Sequence, residues 1–289
     1  MGNVHNTVAP RELGGAAAVG RIPVPGAELV FDEQGSGTPL VLVHGTGAQA
    51  RLWGGAVTHL AAGGYRVIAY DRRGFGRSVH RPVRDYRIHV ADLAAVIEHV
   101  GAPAHVLGWS SGGTTALALA VQRPELCRGV VVVEPPWHGL RHVTFDLAVM
   151  LAQVKLDQAR GRLRQATERF YRWVSGLRGG ATGFDALPVA EQDVLLGNAR
   201  AALADLDPHP FGLLMEHIPA AKLATIPVPI TWLLGTQTRS KWFYRCHAGA
   251  VRAAPGIRTE RITGAGHFLP REAPEQFAVT VLRAVGATP

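Results

Sequence analysis

Gly108-Trp109-Ser110-Ser111-Gly112 is the stretch that decides how this chain folds. It follows a short apolar run, residues 104–107, and precedes an Ala- and Leu-rich segment, residues 114–120, so it predicts a strand, a sharp turn and a helix. So tight a turn leaves no room for side chains two residues before and after the serine, which explains Gly108 and Gly112. We expect Ser110 at the tip of a nucleophile elbow. A plain Gly/Ser turn is the alternative, since chance matches are frequent in a chain with 34 glycines.

A second glycine-rich loop follows the apolar run at residues 39–43, which suits a buried parallel strand. The loop reads His44-Gly45-Thr46-Gly47. We expect the backbone N–H groups of Thr46 and Ser111 to form an oxyanion hole, because a loop at this place can supply one donor and the elbow the other. His44 stands at the strand end beside a glycine, so we expect it to order the loop rather than act as a base.

The candidate base is His267, in the loop Gly264-Ala265-Gly266-His267 after the last predicted strand, Arg258–Ile262. A serine hydroxyl is barely ionised at neutral pH and needs a general base, and an imidazole with a pKa near 6.5 suits that task. The chain has 13 histidines, so a structural or solvated role is the alternative for any one of them. The position of His267 in a glycine-rich loop favours the catalytic role.

In these motifs the chain resembles the α/β-hydrolase family, over nearly its whole length. A further block, Asp71-Arg72-Arg73-Gly74-Phe75-Gly76-Arg77-Ser78, is similar to the D-x-R-G-x-G-x-S loop that shapes the floor of the family's active site. The resemblance implies an α/β fold with a doubly wound, mostly parallel sheet and ligands at the carboxyl ends of the strands. Serine at position 110 argues against the dehalogenase and epoxide-hydrolase branches, which carry an aspartate there.

The acid of a Ser–His–acid triad is where the chain departs from the family's commonest pattern. Thr238 stands where many relatives have an aspartate, and no Asp or Glu occurs from 235 to 257. The apolar run at 129–133 instead ends in Glu134, a carboxylate that is costly to bury unpaired. We therefore predict the triad Ser110, Glu134 and His267, an arrangement that some lactone hydrolases and esterases of the family share. A structural carboxylate at the strand end is the alternative.

The pattern of predicted elements divides the chain into a core and an inserted lid. Residues 1–20 read as a flexible N-terminal leader, 21–135 and 223–289 as the α/β core, and 136–222 as a helical lid inserted after the Glu134 strand. Within the lid we expect one long amphipathic stretch over 145–174 and further helices at 189–206 and 211–217. In the family such an insertion covers the active site and shapes the substrate pocket.

Apolar side chains near the triad and in the lid are the candidates for that pocket. We expect Trp109, Trp137, Phe145 and Met150 to line it, with Trp109 adjoining the nucleophile and Trp137 following Glu134 by three residues. Further lid candidates, of which a minority would touch substrate, are Phe170, Tyr171, Trp173, Phe184, Phe211 and Met215.

The composition is that of a globular protein, with 289 residues, 47% hydrophobic and 18% charged. The net charge is +8, but the basic residues are scattered arginines with three lysines, so we expect no nucleic-acid partner. Cys127 and Cys246 are the only cysteines, which argues against a disulfide framework or a metal site. No segment has the apolar length of a secretion signal or a membrane span, so we predict a cytoplasmic location without membrane association.

These residues predict a carboxylic ester hydrolase or lactonase, acting without cofactor or metal on a medium-sized, mostly apolar small molecule. Two alternatives on the same scaffold stay open: a C–C bond hydrolase and a non-hydrolytic enzyme of a natural-product pathway. A third, of another class, is a small-molecule binding or sensor protein with slow or no turnover. The oligomeric state cannot be read from the sequence.

Overall fold

The computed structural model describes residues 18–207 and 218–286. Its centre is one eight-stranded sheet with the order β1-β2-β4-β3-β5-β6-β7-β8. Strands β3 to β8 are mutually parallel, while β1 and β2 pair antiparallel with each other and β2 with β4. The strands are β1 (Ala18–Val24), β2 (Ala27–Gln34), β3 (Thr38–Val43), β4 (Tyr65–Tyr70), β5 (Ala104–Trp109), β6 (Cys127–Val133), β7 (Ile230–Gly235) and β8 (Arg258–Ile262).

Helices cover both faces of the sheet and fill the insertion between β6 and β7. In the described ranges they are α1 (Gly55–Ala62), α2 (Tyr86–Val100), α3 (Ser111–Gln122), α4 (Phe145–Ala159), α5 (Leu163–Val174), α6 (Gly183–Ala186), α7 (Val189–Gly197), α8 (Ala199–Asp205), α9 (Ala220–Ala224), α10 (Lys241–Ala253), α11 (Leu269–Glu272) and α12 (Pro274–Gly286).

Two apolar clusters, one on each face, hold the sheet between the helices. In β3, Leu40 and Leu42 point into one cluster and Val41 and Val43 into the other. Successive side chains of a strand point to opposite faces, so a strand buried on both faces must be apolar throughout, as β3 and β5 largely are. This arrangement confirms the predicted doubly wound α/β fold.

The insertion between β6 and β7, predicted as a lid, differs in detail from the sequence prediction. The stretch 145–174 is not one helix but two, α4 and α5, because Gly161 turns the chain with a φ of +72°. The stretch 189–206 is likewise two helices, α7 and α8, with Asn198 between them. The predicted helix at 211–217, with Phe211 and Met215, lies outside the described residues.

Two further elements were predicted wrongly or not at all. Strand β1 begins at Ala18, inside the predicted leader, where residues 18–20 pair with 31–33 of β2. Helix α10 was missed, although it buries Trp242, Phe243 and Cys246 and its N-cap Ser240 accepts a hydrogen bond from the N–H of Trp242.

Two global features of the described residues bear on the predictions. No helix in them is both long and apolar enough to cross a membrane. Cys127 and Cys246 are both buried free thiols.

Candidate active site

Ser110 occupies a strained turn between β5 and α3, with φ of +54° and ψ of −122°. A non-glycine residue holds such a backbone only where its surroundings enforce it, and here the Ser110 N–H donates to the carbonyl of Val133 at 2.8 Å. A Cβ on Gly108 would lie 2.5 Å from the carbonyl oxygen of Gly112, and one on Gly112 would lie 2.2 Å from that of Val43. The close approach of backbone to backbone therefore requires both glycines.

The loop after β3 lies against the elbow. The Thr46 hydroxyl donates to Ser111 Oγ at 3.0 Å, and both residues line the cavity that holds Ser110. Ser111 is the first residue of α3, so its N–H has no acceptor within the helix. Thr46 and Ser111, the two residues predicted to supply oxyanion N–H groups, thus both lie at the cavity that holds Ser110.

His44 orders this loop, as its position in the sequence suggested. Its Nδ1 contacts the carbonyl oxygen of Gly45 at 2.8 Å, and its Nε2 accepts the backbone N–H of Arg72 at 2.9 Å. Complete burial, with the nearby Arg72 guanidinium, holds the pKa of His44 well below its usual value. His44 is therefore a neutral ring that joins the loop to the Asp71–Ser78 block.

Glu134 follows β6 with a φ of +43° and is fully buried. One carboxylate oxygen, Oε2, lies 2.7 Å from Nδ1 of His267. The other, Oε1, accepts the backbone N–H of Gly235 at 2.9 Å and the Thr238 hydroxyl at 2.7 Å. Three donors thus surround the carboxylate, which is what a buried charge requires.

Contacts to the ring and to the backbone beside it hold His267 in place. Trp109 Nε1 donates to the backbone carbonyl of His267 at 2.9 Å, and the ring of Phe243 stacks on the imidazole with centroids 4.3 Å apart and an interplanar angle of 19°. The preceding N–H, of Gly266, donates to the half-buried carboxylate of Glu272. With Nδ1 directed to Glu134, Nε2 is the nitrogen left for a reacting group.

Two adjoining cavities meet at Ser110 and share Thr46, Phe170 and Val174 as walls. The larger cavity, about 410 Å³ of space that includes open solvent, is also lined by Ser111, Pro136, Leu147, Met150, Leu151, Trp173, Asp205, Leu206, Trp242 and Phe243. The smaller cavity, about 290 Å³ counted in the same way, is also lined by Gly45, Ala48, Trp109, Tyr171, Leu195, His267 and Phe268. Core loops and lid helices contribute to both.

The structure brings together some of the predicted pocket residues and separates others. Met150 lines the larger cavity and Trp109 the smaller one. Trp137 was wrongly placed: it is buried away from both cavities, where its indole N–H donates to the carbonyl of Ile218 at 3.1 Å. Phe145 was also wrongly placed, because it is 86% exposed. Helix α4 buries the face that carries Met150, and Phe145 lies about 140° around the helix from it.

Among the other lid candidates, Phe170, Tyr171 and Trp173 line the cavities. Phe184 does not; its ring stacks behind Tyr171 with centroids 5.5 Å apart. Aromatic residues at helical spacing divide between cavity wall and lid core, and the sequence alone could not separate the two groups.

Sequence analysis missed two groups at this site. Thr238 was recognised as the place of an absent aspartate but not as a hydrogen-bond donor to Glu134. The second is a wholly buried ion pair in which Arg72 Nη2 lies 2.5 Å from Oδ2 of Asp205. Arg72 belongs to the Asp71–Ser78 block and Asp205 ends α8 of the lid. No local signal could have paired residues 133 positions apart.

Comparison with known proteins agrees with the fold. The model of the "Alpha/beta hydrolase family" matches residues 40–280. An uncharacterized hydrolase, YraK, of Bacillus subtilis is 36% identical over 127 residues, 43% of this chain and 46% of that protein. A pimeloyl-[acyl-carrier protein] methyl ester esterase of Aeromonas salmonicida is 34% identical over 138 residues, 47% of this chain and 53% of that protein. Each match thus spans about half of the curated relative. Other relatives are named as epoxide hydrolases and non-heme haloperoxidases.

A solved structure shares the whole architecture. Carboxylesterase CesB of Bacillus subtilis superposes with a TM-score of 0.77 over 94% of this chain and 93% of that one, at 19% sequence identity. At that identity the likeness concerns the fold. The family model, which covers most of the chain including the elbow and the His267 loop, carries the assignment. The chain belongs to the α/β-hydrolase family.

Proposed function

We propose that this protein is a serine hydrolase that cleaves an ester or lactone of a medium-sized, mostly apolar molecule through an acyl-enzyme intermediate. The observation that carries the proposal is the 2.7 Å contact between His267 Nδ1 and Glu134 Oε2, beside a cavity shared by Ser110 and His267. A nucleophile, a base and a group that orients the base are the parts that acyl transfer by serine needs.

In the first half of the reaction, Ser110 Oγ forms a bond to the carbonyl carbon while His267 Nε2 takes the hydroxyl proton. The backbone N–H groups of Thr46 and Ser111 stabilise the negative oxygen of the tetrahedral intermediate, each contributing about 3 kcal/mol. The C–O bond of the ester then breaks, and His267 returns the proton to the departing alkoxide. The products of this half are an alcohol and an acyl group on Ser110.

In the second half, His267 takes a proton from water as its oxygen attacks the acyl carbon. The bond to Ser110 Oγ breaks, the serine regains its proton, and a carboxylic acid leaves. Glu134 stays ionised throughout, holding the proton of neutral His267 on Nδ1 and stabilising the imidazolium when it forms. One water is consumed per ester, and no step needs a metal or cofactor.

The cavities support the substrate class. His267 lines the smaller cavity and must reach the leaving oxygen, so we assign the alcohol part of an ester to that cavity and the acyl part to the larger one. The walls of the larger cavity are apolar except for Thr46, Ser110, Ser111 and Asp205. The esterase among the relatives is in keeping with this chemistry.

Labelling with a serine-reactive fluorophosphonate, followed by mass spectrometry of the labelled peptide, tests the proposal. We expect one labelled site, Ser110, and a labelling rate reduced by orders of magnitude in His267→Ala and Glu134→Gln. His80→Gln is the control, since that exposed histidine lines neither cavity. Label on another residue, or equal rates in wild type and His267→Ala, would rule the triad out.

Turnover of p-nitrophenyl esters and of γ- and δ-lactones of increasing chain length then identifies the preferred substrate. A protein that is labelled at Ser110 and binds such compounds saturably without cleaving them would be a sensor on a hydrolase scaffold. That result would contradict the proposed function while leaving the triad assignment intact.

A further inference from the structure

A residue of the insertion between β6 and β7 is hydrogen-bonded to the loop that carries Thr46. Asn198 lies between α7 and α8, and its Nδ2 donates to the carbonyl oxygen of Gly47 at 2.9 Å. Its Oδ1 accepts the backbone N–H of Gly76 at 3.2 Å. One orientation of the amide satisfies both contacts, since its nitrogen faces a carbonyl and its oxygen faces an N–H. Asn198 thus joins the insertion to two core loops, the Thr46 loop (residues 45–48) and the Asp71–Ser78 block.

Two peptide groups connect this contact to the N–H of Thr46. The peptide between Gly47 and Ala48 accepts from Asn198 at its carbonyl, and its N–H donates to the carbonyl of Gly45 at 3.2 Å. That carbonyl belongs to the peptide whose other end is the Thr46 N–H. A trans peptide is planar, so fixing its carbonyl also fixes the opposite direction of its N–H. The amide of Asn198 therefore acts, through two rigid planes, on the direction of the Thr46 N–H.

Other parts of the insertion pack on the same turn of the Thr46 loop. A Cβ on Gly47, where φ is +73°, would lie 1.5 Å from the hydroxyl oxygen of Tyr171 and 3.2 Å from the Cβ of Ala202. Tyr171 belongs to α5 and Ala202 to α8. The loop is therefore enclosed by the insertion as well as by the core, and its conformation depends on both.

We propose that Asn198 is a positioning residue for the oxyanion hole, through which the insertion directs the Thr46 N–H toward the carbonyl oxygen of the substrate. This inference rests on the proposed acyl transfer and adds to it a residue that lines neither cavity. Ser110, Glu134 and His267 keep their contacts without Asn198. Its loss therefore removes stabilisation of the transition state while the nucleophile and the base stay in place.

Two variants test the amide. Removing one oxyanion donor altogether lowers kcat by about 10²–10³-fold. The contact of His44 with the Gly45 carbonyl remains in these variants, so the N–H is misdirected rather than lost, and we expect kcat to fall by about tenfold or more. Asn198→Ala removes both hydrogen bonds, whereas an ionised aspartate in Asn198→Asp still accepts from Gly76 but cannot donate to Gly47. Full activity in Asn198→Asp would overturn the inference, because the donor would then be dispensable.

A pair of inhibitors separates positioning from a purely structural role. Hexylboronic acid forms an anionic tetrahedral adduct with a serine hydroxyl and so uses the oxyanion N–H groups, whereas 2-octanone occupies the cavity with a neutral carbonyl. We expect Ki of the boronic acid to rise by about tenfold in both Asn198 variants, with Ki of the ketone and KM of the ester within about threefold of wild type. Equal weakening of both inhibitors would mean that the variants only displace the insertion, which would overturn the inference.

Gln192→Ala is the matched control. Gln192 is half-buried like Asn198, and its Nε2 donates to the carbonyl of Leu187 at 2.9 Å, an equivalent bond that stays within the insertion. This variant should keep the wild-type kcat and both wild-type Ki values. Asn198→Ala values that match those of Gln192→Ala overturn this inference while the ester-hydrolase proposal stands. A wild-type protein that forms no boronate adduct at Ser110 and cleaves no ester overturns the proposed function, and this inference with it.

Discussion

The hydroxyl of Thr238 donates a 2.7 Å hydrogen bond to Oε1 of Glu134, the carboxylate whose other oxygen contacts His267. Glu134 follows β6 and Thr238 follows β7, and these strands are parallel neighbours, so their carboxyl ends meet. Thr238 therefore supports, from the end of one strand, the carboxylate that follows the adjacent strand.

Thr238→Val should lower kcat by about tenfold to a hundredfold, because it removes one charge-assisted hydrogen bond from the buried carboxylate. Steady-state kinetics on the best ester measures the effect, with KM expected to change little. Thr238→Ser keeps the hydroxyl and should retain most of the activity. A loss in the serine variant with none in the valine variant would show that packing of the methyl group matters, not the hydrogen bond.

Glu134→Gln should reduce kcat by about 10⁴-fold, since an amide cannot hold the productive tautomer of His267 or stabilise its imidazolium. Glu272→Gln is the comparison, because this half-buried neighbour accepts the N–H of Gly266 rather than contacting the imidazole. We expect Glu272→Gln to lower kcat by no more than about tenfold. A larger loss of kcat in Glu272→Gln than in Glu134→Gln would show that Glu272, and not Glu134, is the acid of the triad.

Met150→Trp should shorten the acyl chain that the larger cavity accepts, because Met150 lines it and the indole adds volume there. We expect kcat/KM for octanoate esters to fall by more than about tenfold while acetate esters lose little. Phe145→Trp, on the same helix but 86% exposed, should leave the chain-length profile unchanged. A shift of the profile in Phe145→Trp alone would mean that α4 presents its other face to substrate.

Stability should fall as the pH drops below about 6.5, because buried histidines stay neutral in the folded protein. Burial lowers the pKa of His105 to about 4 and holds the pKa values of His44 and His89 well below their usual range. Below pH 6.5 the unfolded chain therefore binds protons that the folded chain does not, and each such histidine costs up to about 1.4 kcal/mol per pH unit.

Urea unfolding between pH 7 and pH 5 measures this slope. His105→Leu should flatten it, while His80→Leu, at an exposed position, should leave it unchanged. A steeper slope in His105→Leu would contradict the assignment of His105 as a neutral buried ring.

Local motifs allowed the fold to be predicted because each one requires a specific backbone geometry. The elbow needs Gly108 and Gly112 because backbone segments come into close contact there. Strand β8 was predicted at Arg258–Ile262, which are its bounds in the structure. Lid elements were predicted less well, since an amphipathic pattern continues across a turn such as that at Gly161. The exposure of Phe145 followed from the helix face that α4 buries, which depends on contacts with the rest of the lid.

The candidate site likewise contains residues that the local sequence predicts and contacts that it does not. Ser110 and His267 are marked by the glycines beside them, and Glu134 by the apolar strand it ends. The donors that hold Glu134 and the pairing of Arg72 with Asp205 arise from segments about 100 or more residues apart. Such contacts are products of the tertiary fold and have no signature in any short window of sequence.

The junction of two unlike cavities at Ser110 has a stereochemical consequence. A carbonyl carbon that extends its acyl arm into the larger cavity, its alkoxy arm toward His267 and its oxygen toward Thr46 and Ser111 offers only one of its two faces to Ser110 Oγ. Mirror-image substrates then cannot fill the cavities equally well. A racemic ester with a stereocentre in its acyl part, left with this protein, should become enriched in one enantiomer as the other is consumed.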